Sequence, residues 1–265
     1  MRVLALKLAL VPAFLAALTM AARLWGPSVA GWLAGLPVVA GPIVLLLALA
    51  RGQASVASIA AIAASEAFNF AYAWSCRRFS WPLALVAGMS GWFVAALLLT
   101  RLPASLAWAV AVACVAVAVS QCGLPRATGQ VPATRAGFGE LVLRMVAGAL
   151  LTLAVTSLAA SMGATWSGLL SVFPLLGMVL AVSAQREHGP DFVALLMRGM
   201  VVGRGSFAAF FAVTAVLLPR YGVWLSFACA SAVCIVVHGA TRRMLDARRP
   251  AQEVSREASL RQPVD

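Results

Sequence analysis

Charged and amide side chains stand inside stretches of this sequence that are otherwise too apolar to hold them. Glu66 lies deepest, in the run Ala64-Ser65-Glu66-Ala67-Phe68-Asn69 of an apolar segment over 54–75. A charge at the centre of a membrane helix costs roughly 3 kcal/mol even on lenient insertion scales, so something must offset it. One answer is chemistry: a proton- or cation-coupling carboxylate, with Asn69 and Tyr72 adding polar atoms three and six residues along. The other is architecture, an ion pair with a buried cation. Arg204 fits that partner, since it also lies mid-segment, and the internal repeat of the chain sets it opposite Ala67. Gly199, Gly203 and Gly205 around the arginine, and the alanines before Glu66, predict a close helix crossing. Such a pair is compatible with function, because it can gate a pathway.

Other residues bear on the same chemistry. Arg198, two turns after Pro190, reads as an intramembrane charge or as an interfacial one, the interface being favoured. Lys7 and Arg144 occupy equivalent places in the two halves and by default snorkel to the headgroups, with Glu140 four residues before Arg144. Their recurrence leaves an anion-attracting role open. Pro37 sits in Gly35-Leu36-Pro37-Val38-Val39-Ala40-Gly41-Pro42 and Pro174 in Phe173-Pro174-Leu175-Leu176-Gly177. A proline inside an apolar helix frees carbonyls at mid-depth, which can bind a cation or polar solute where they line a cavity, or serve only as a kink.

A duplicated scaffold must position these groups. Gly26, Gly31, Pro37 and Gly52 read G-x4-G-x5-P-x14-G, and Gly163, Gly168, Pro174 and Gly189 repeat it at a constant shift of 137 positions. Leu4, Leu6 and Lys7 match Leu141, Leu143 and Arg144 at the same shift, which argues that the first apolar segment is retained rather than cleaved as a signal peptide. Apolar spans fall near 3–23, 28–50, 54–75, 81–100, 103–122, 139–161, 164–184, 190–218 and 222–240, about nine helices of bilayer length. The reading is an all-α integral membrane protein with a first four-helix repeat over 1–101, a linker helix over 102–122, a loop over 123–138 and a second repeat over 139–245. A polar tail over 246–265 is expected to be disordered. The odd linker helix starts the second copy on the opposite face, so the repeats are expected to be inverted. Arg126, Arg135, Arg186, Arg242, Arg243, Arg248 and Arg249 crowd one side of the second half, which predicts a cytoplasmic C-terminus.

Composition agrees with this class. The 265 residues are 63% hydrophobic and 11% charged, with a mean hydropathy of +0.96, outside the range of soluble domains. The net charge of +12 falls in turns and tail, where it orients helices, so nucleic acid is not an expected partner. Trp25, Trp74, Trp81, Trp166 and Trp224 lie near span ends, as interfacial anchors do. Five cysteines and two histidines form no ligand cluster, so neither a metal nor a cofactor is expected. No G-x-S-x-G, H-E-x-x-H or phosphate loop is present, and an enzyme is not expected.

The repeat unit, a basic residue early in its first helix and then a glycine-rich turn into Gly31-Trp32-Leu33-Ala34-Gly35-Leu36-Pro37, resembles the small four-helix bacterial inner-membrane proteins of the GlpM type. That resemblance implies a location in the bacterial inner membrane and carries over no functional residue. The construction is also similar to fused dual-topology carriers and channels, such as small multidrug transporters and fluoride channels, although the first helix lacks the carboxylate of the multidrug pattern. The expectation is a transporter or channel for a small solute or ion, its site near the midplane between the repeats. The alternative is a non-transporting scaffold or envelope assembly factor, its glycines and prolines serving packing alone.

Overall fold

The computed structural model describes residues 2–37, 54–101, 105–127, 137–162, 166, 169–170 and 172–260. These residues are helical, with no strand among them. The helices are α1 (Arg2–Trp25), α2 (Pro27–Ala34), α3 (Ala54–Ser75), α4 (Trp81–Leu99), α5 (Leu106–Gly123), α6 (Phe138–Ser161), α7 (Leu175–His188) and α8 (Pro190–Leu260). Among the described residues three helices are long and apolar enough to cross a membrane: Trp81–Leu99, Gly139–Leu158 and Pro190–Arg243.

The surface is apolar like the core, and a few charged and amide groups are turned inward. Val86 and Leu98 on α4, Leu150 on α6, and Ile235 and Val236 on α8 point outward and are more than 60% exposed, while Glu66, Asn69, Arg144 and Arg204 are buried. Exposed apolar belts around a polar-studded interior suit lipid as solvent.

Local chemistry explains the breaks. Gly26, at φ 86°, and Gly189, at φ 81°, each precede a proline that opens the next helix. A left-handed turn suits glycine and the first helical position suits proline, so each Gly-Pro pair ends one helix and starts another. At Gly222, with φ 73°, α8 kinks between the spans predicted at 190–218 and 222–240. The second span of each copy is interrupted at one repeat position. In the first copy α2 stops at Ala34, with Gly35 as its cap, just before Pro37. In the second, α7 begins at Leu175 with Pro174 at its N-cap. With 8 residues in α2 and 14 in α7, these pieces reach about 12 and 21 Å, short of a hydrocarbon core of about 30 Å.

α8 runs on to Leu260, where the sequence predicts disorder from 246. The tail lacks an apolar stripe, but its alanines, arginines, glutamates and leucine favour helix by backbone propensity alone.

Helices of the two halves pack against one another. α1 packs on α6, α2 on α8, and α3 crosses α8. Arg144 reaches Thr19 while Gly148, one turn later on α6, faces Leu15, one turn earlier on α1. The two first helices therefore run antiparallel. α2 lies parallel to the start of α8, with Ser28 against Gly199 and Trp32 against Gly203. α3 reaches the second half through side chains, Ser65 donating to the Val172 carbonyl at 2.7 Å and Tyr72 to Gln185 at 2.8 Å.

Glycine makes the α2–α8 contact. A Cβ at Gly31 would stand 2.0 Å from the Leu196 oxygen, and one at Gly203 would stand 2.3 Å from the Trp32 oxygen. Gly199 and Gly203 thus serve α2, not the crossing with Glu66 that the sequence predicts for them. Gly205 has only the Thr241 side chain near its Cβ position, at 3.9 Å.

Candidate functional site

The breaks of the two copies face one another across a cavity of about 60 Å³. Ala34 and Leu36 line it from the first copy, Val172 to Gly177 from the second, and Met200, Arg204 and Phe207 from α8. Leu36 and Phe173 are equivalent in the repeat, so the cavity lies where the two interruptions converge.

Arg204 joins this cavity to Glu66. Its Nε lies 3.1 Å from Glu66 Oε1, with the Glu66 side chain 1% and the Arg204 side chain 10% exposed. The Arg204 guanidinium carbon is also 5.8 Å from the centroid of the Phe207 ring. The contact is a close charge pair rather than an aligned hydrogen bond, for neither Glu66 oxygen nor Arg204 Nε has a hydrogen-bond partner among the described residues. Asn69 and Ser120 lie beside the carboxylate. Asn69 is wholly buried, both its amide atoms lack hydrogen bonds among the described residues, and its Oδ1 is 3.4 Å from the Cβ position of Gly177. Glu66 itself does not line the cavity; Arg204 stands at its wall.

Tyr72 does not join this group. It donates to Gln185 Oε1, and the Gln185 amide nitrogen donates to the Phe79 carbonyl at 2.9 Å, which ties α3 to α7 near the end of both helices. Six residues along a helix is more than one and a half turns, which carries Tyr72 away from Glu66.

Arg198 half-buries against the end of α5. Nη1 donates to the Leu124 carbonyl at 2.8 Å and Nη2 to the Gln121 carbonyl at 3.4 Å. A cation on the unsatisfied carbonyls of a helix C-terminus offsets both their lost hydrogen bonds and the helix dipole.

Arg144 is buried at 5% exposure rather than snorkelling. It pairs with Glu187, donates to Thr19 Oγ1 at 3.2 Å and lies 3.9 Å from Glu140. A second, smaller cavity beside it, about 10 Å³, is lined by Thr19, Arg144 and His188 among apolar residues. His188 Nδ1 is 3.8 Å from Glu187. The sequence reading missed Glu187 and His188 because both fall just past the predicted span end at 184. The usable signal was that Glu187 is the first carboxylate after that span. The Lys7 side chain and all of Gly41 lie outside the described residues, whereas Pro37 is buried at the end of the first break.

One more polar group lies near the α2–α8 contact. Trp32 stacks on His238 with centroids 3.8 Å apart, Arg242 lies 5.4 Å from its ring centroid, and its indole donates to Thr241 at 3.1 Å. His238 Nδ1 is 2.8 Å from Ser206 Oγ. These contacts fasten α2 to the distal part of α8.

Comparison with known proteins yields no match to a family model, a curated protein or a solved structure.

Proposed function

We propose that this chain is a multi-pass transporter or channel of the bacterial inner membrane, built as two inverted four-helix repeats around a linker helix. A small solute or ion would pass through the space between the two helix breaks. The observation that carries the reading is the cavity itself: both interruptions, at one repeat position, open onto one space whose wall holds a buried arginine paired to a buried glutamate. Helices broken at mid-depth around a polar midplane site are the usual construction of secondary transporters. Antiparallel packing of α1 on α6 supports the inversion, since a two-fold axis in the membrane plane reverses equivalent helices. The burial of Glu66, Asn69 and Arg204 beneath an apolar exterior supports a pathway, because ionisable groups inside a membrane usually mark one.

Purified protein in lipid vesicles tests this. Relaxation after an osmotic step, followed by light scattering in a panel of small salts and neutral solutes, should be faster than in empty vesicles for at least one of them. Relaxation matching empty vesicles for the whole panel would favour the scaffold reading.

A further inference from the structure

We infer that the cavity between the two breaks is a binding site for a small monovalent anion, held by Arg204 and the first backbone amides of α7. The inference rests on the pathway reading and names the ligand class of that site. Two independent features point the same way. α7, 14 residues long, starts at the cavity wall with no side-chain cap, and its opening residues Pro174 to Gly177 line the space. The Leu176 and Gly177 amides have no backbone acceptor among the described residues. Uncapped amides at a helix N-terminus carry partial positive charge and favour an anion.

The side chains supply the second feature. Arg204, nine-tenths buried, lines the same wall, its Nε 3.1 Å from Glu66 Oε1 but without an aligned hydrogen bond. Asn69, wholly buried beside Glu66, turns its acceptor Oδ1 to within 3.4 Å of the Gly177 Cβ position and adds no donor to the cavity. The remaining wall is apolar, from Leu36, Phe173 and Met200, which excludes a strongly hydrated or multivalent ion and leaves room for only a few heavy atoms. Glu66 is the charge that opposes this ligand. Carboxylate and anion compete for one guanidinium, so neutralising Glu66 must strengthen anion binding.

The test is thermal unfolding of the purified full chain in detergent, in sodium chloride, nitrate and formate against sodium gluconate at constant ionic strength. A ligand that binds the folded state raises the midpoint saturably with its concentration. The expected result is a saturable rise in at least one small-anion salt, absent in gluconate. The Glu66→Gln variant should show the rise at roughly tenfold lower concentration, and Arg204→Gln should abolish it. If a charge variant does not fold, Leu176→Trp keeps the ion pair and fills the cavity, and it should also remove the rise. No saturable rise in any small anion, or an unchanged rise in Leu176→Trp, overturns the anion site. Solute flux in vesicles without an anion-dependent rise would leave the pathway standing and remove only the anion.

Discussion

At the scale of single residues, the Glu66–Arg204 contact is the most demanding feature. Two charges out of water are tolerable together and costly apart, so truncating one should destabilise by about 3–5 kcal/mol. Glu66→Ala and Arg204→Ala are each expected to lower the thermal midpoint sharply. The double variant should lose less than their sum, with a coupling of at least about 1 kcal/mol; additive losses in the cycle would remove the interaction. This pair was legible in the sequence, because two lone charges deep in apolar segments at nearly equivalent repeat positions have few other partners. Tyr72 and Arg144 were less legible. Their partners, Gln185 and Glu187, are polar residues near a helix end, where sequence alone cannot tell a solvated side chain from one turned inward.

At the scale of elements, the glycines of α2 and α8 divide into those that permit contact and those that merely occupy helix. Gly31 and Gly203 sit against opposing backbone oxygens, so an added methyl must push two helices apart. Overpacking of that kind typically costs about 1–3 kcal/mol, and more against backbone. Gly31→Ala and Gly203→Ala should therefore each lower the melting midpoint. Gly239, also in α8, has nothing within 4 Å of its Cβ position, and Gly239→Ala should be neutral or stabilising by up to about 1 kcal/mol from helix propensity. Equal effects at all three positions would contradict the close α2–α8 packing. The repeat spacing showed that the second helix of each copy would be interrupted at Pro37 and Pro174. It did not show which helix the glycines around Arg204 would face, because G-x-x-x-G spacing marks a close-packing face without naming the partner.

At the scale of the whole molecule, inversion is the claim with the widest consequences. If the chain makes the nine spans proposed for it, its two ends lie on opposite faces, and the arginines of the second half would put the C-terminus in the cytoplasm. A reporter active only in the cytoplasm should work when fused after Asp265 and fail when fused before Met1; activity at both ends would contradict inverted repeats. Antiparallel α1 and α6, and α2 packed along α8, frame the space onto which both breaks open, a largely apolar cavity with Arg204 in its wall. The central claim is that water reaches that cavity. Its most direct test is Leu176→Cys in a background lacking Cys76, Cys114, Cys122, Cys229 and Cys234, labelled in intact cells and in inverted vesicles with a membrane-impermeant thiol reagent, beside Ala181→Cys on the fully buried face of α7. The account predicts labelling at 176 from at least one side and protection at 181; protection at 176 from both sides would show a dry, packed interior and contradict it.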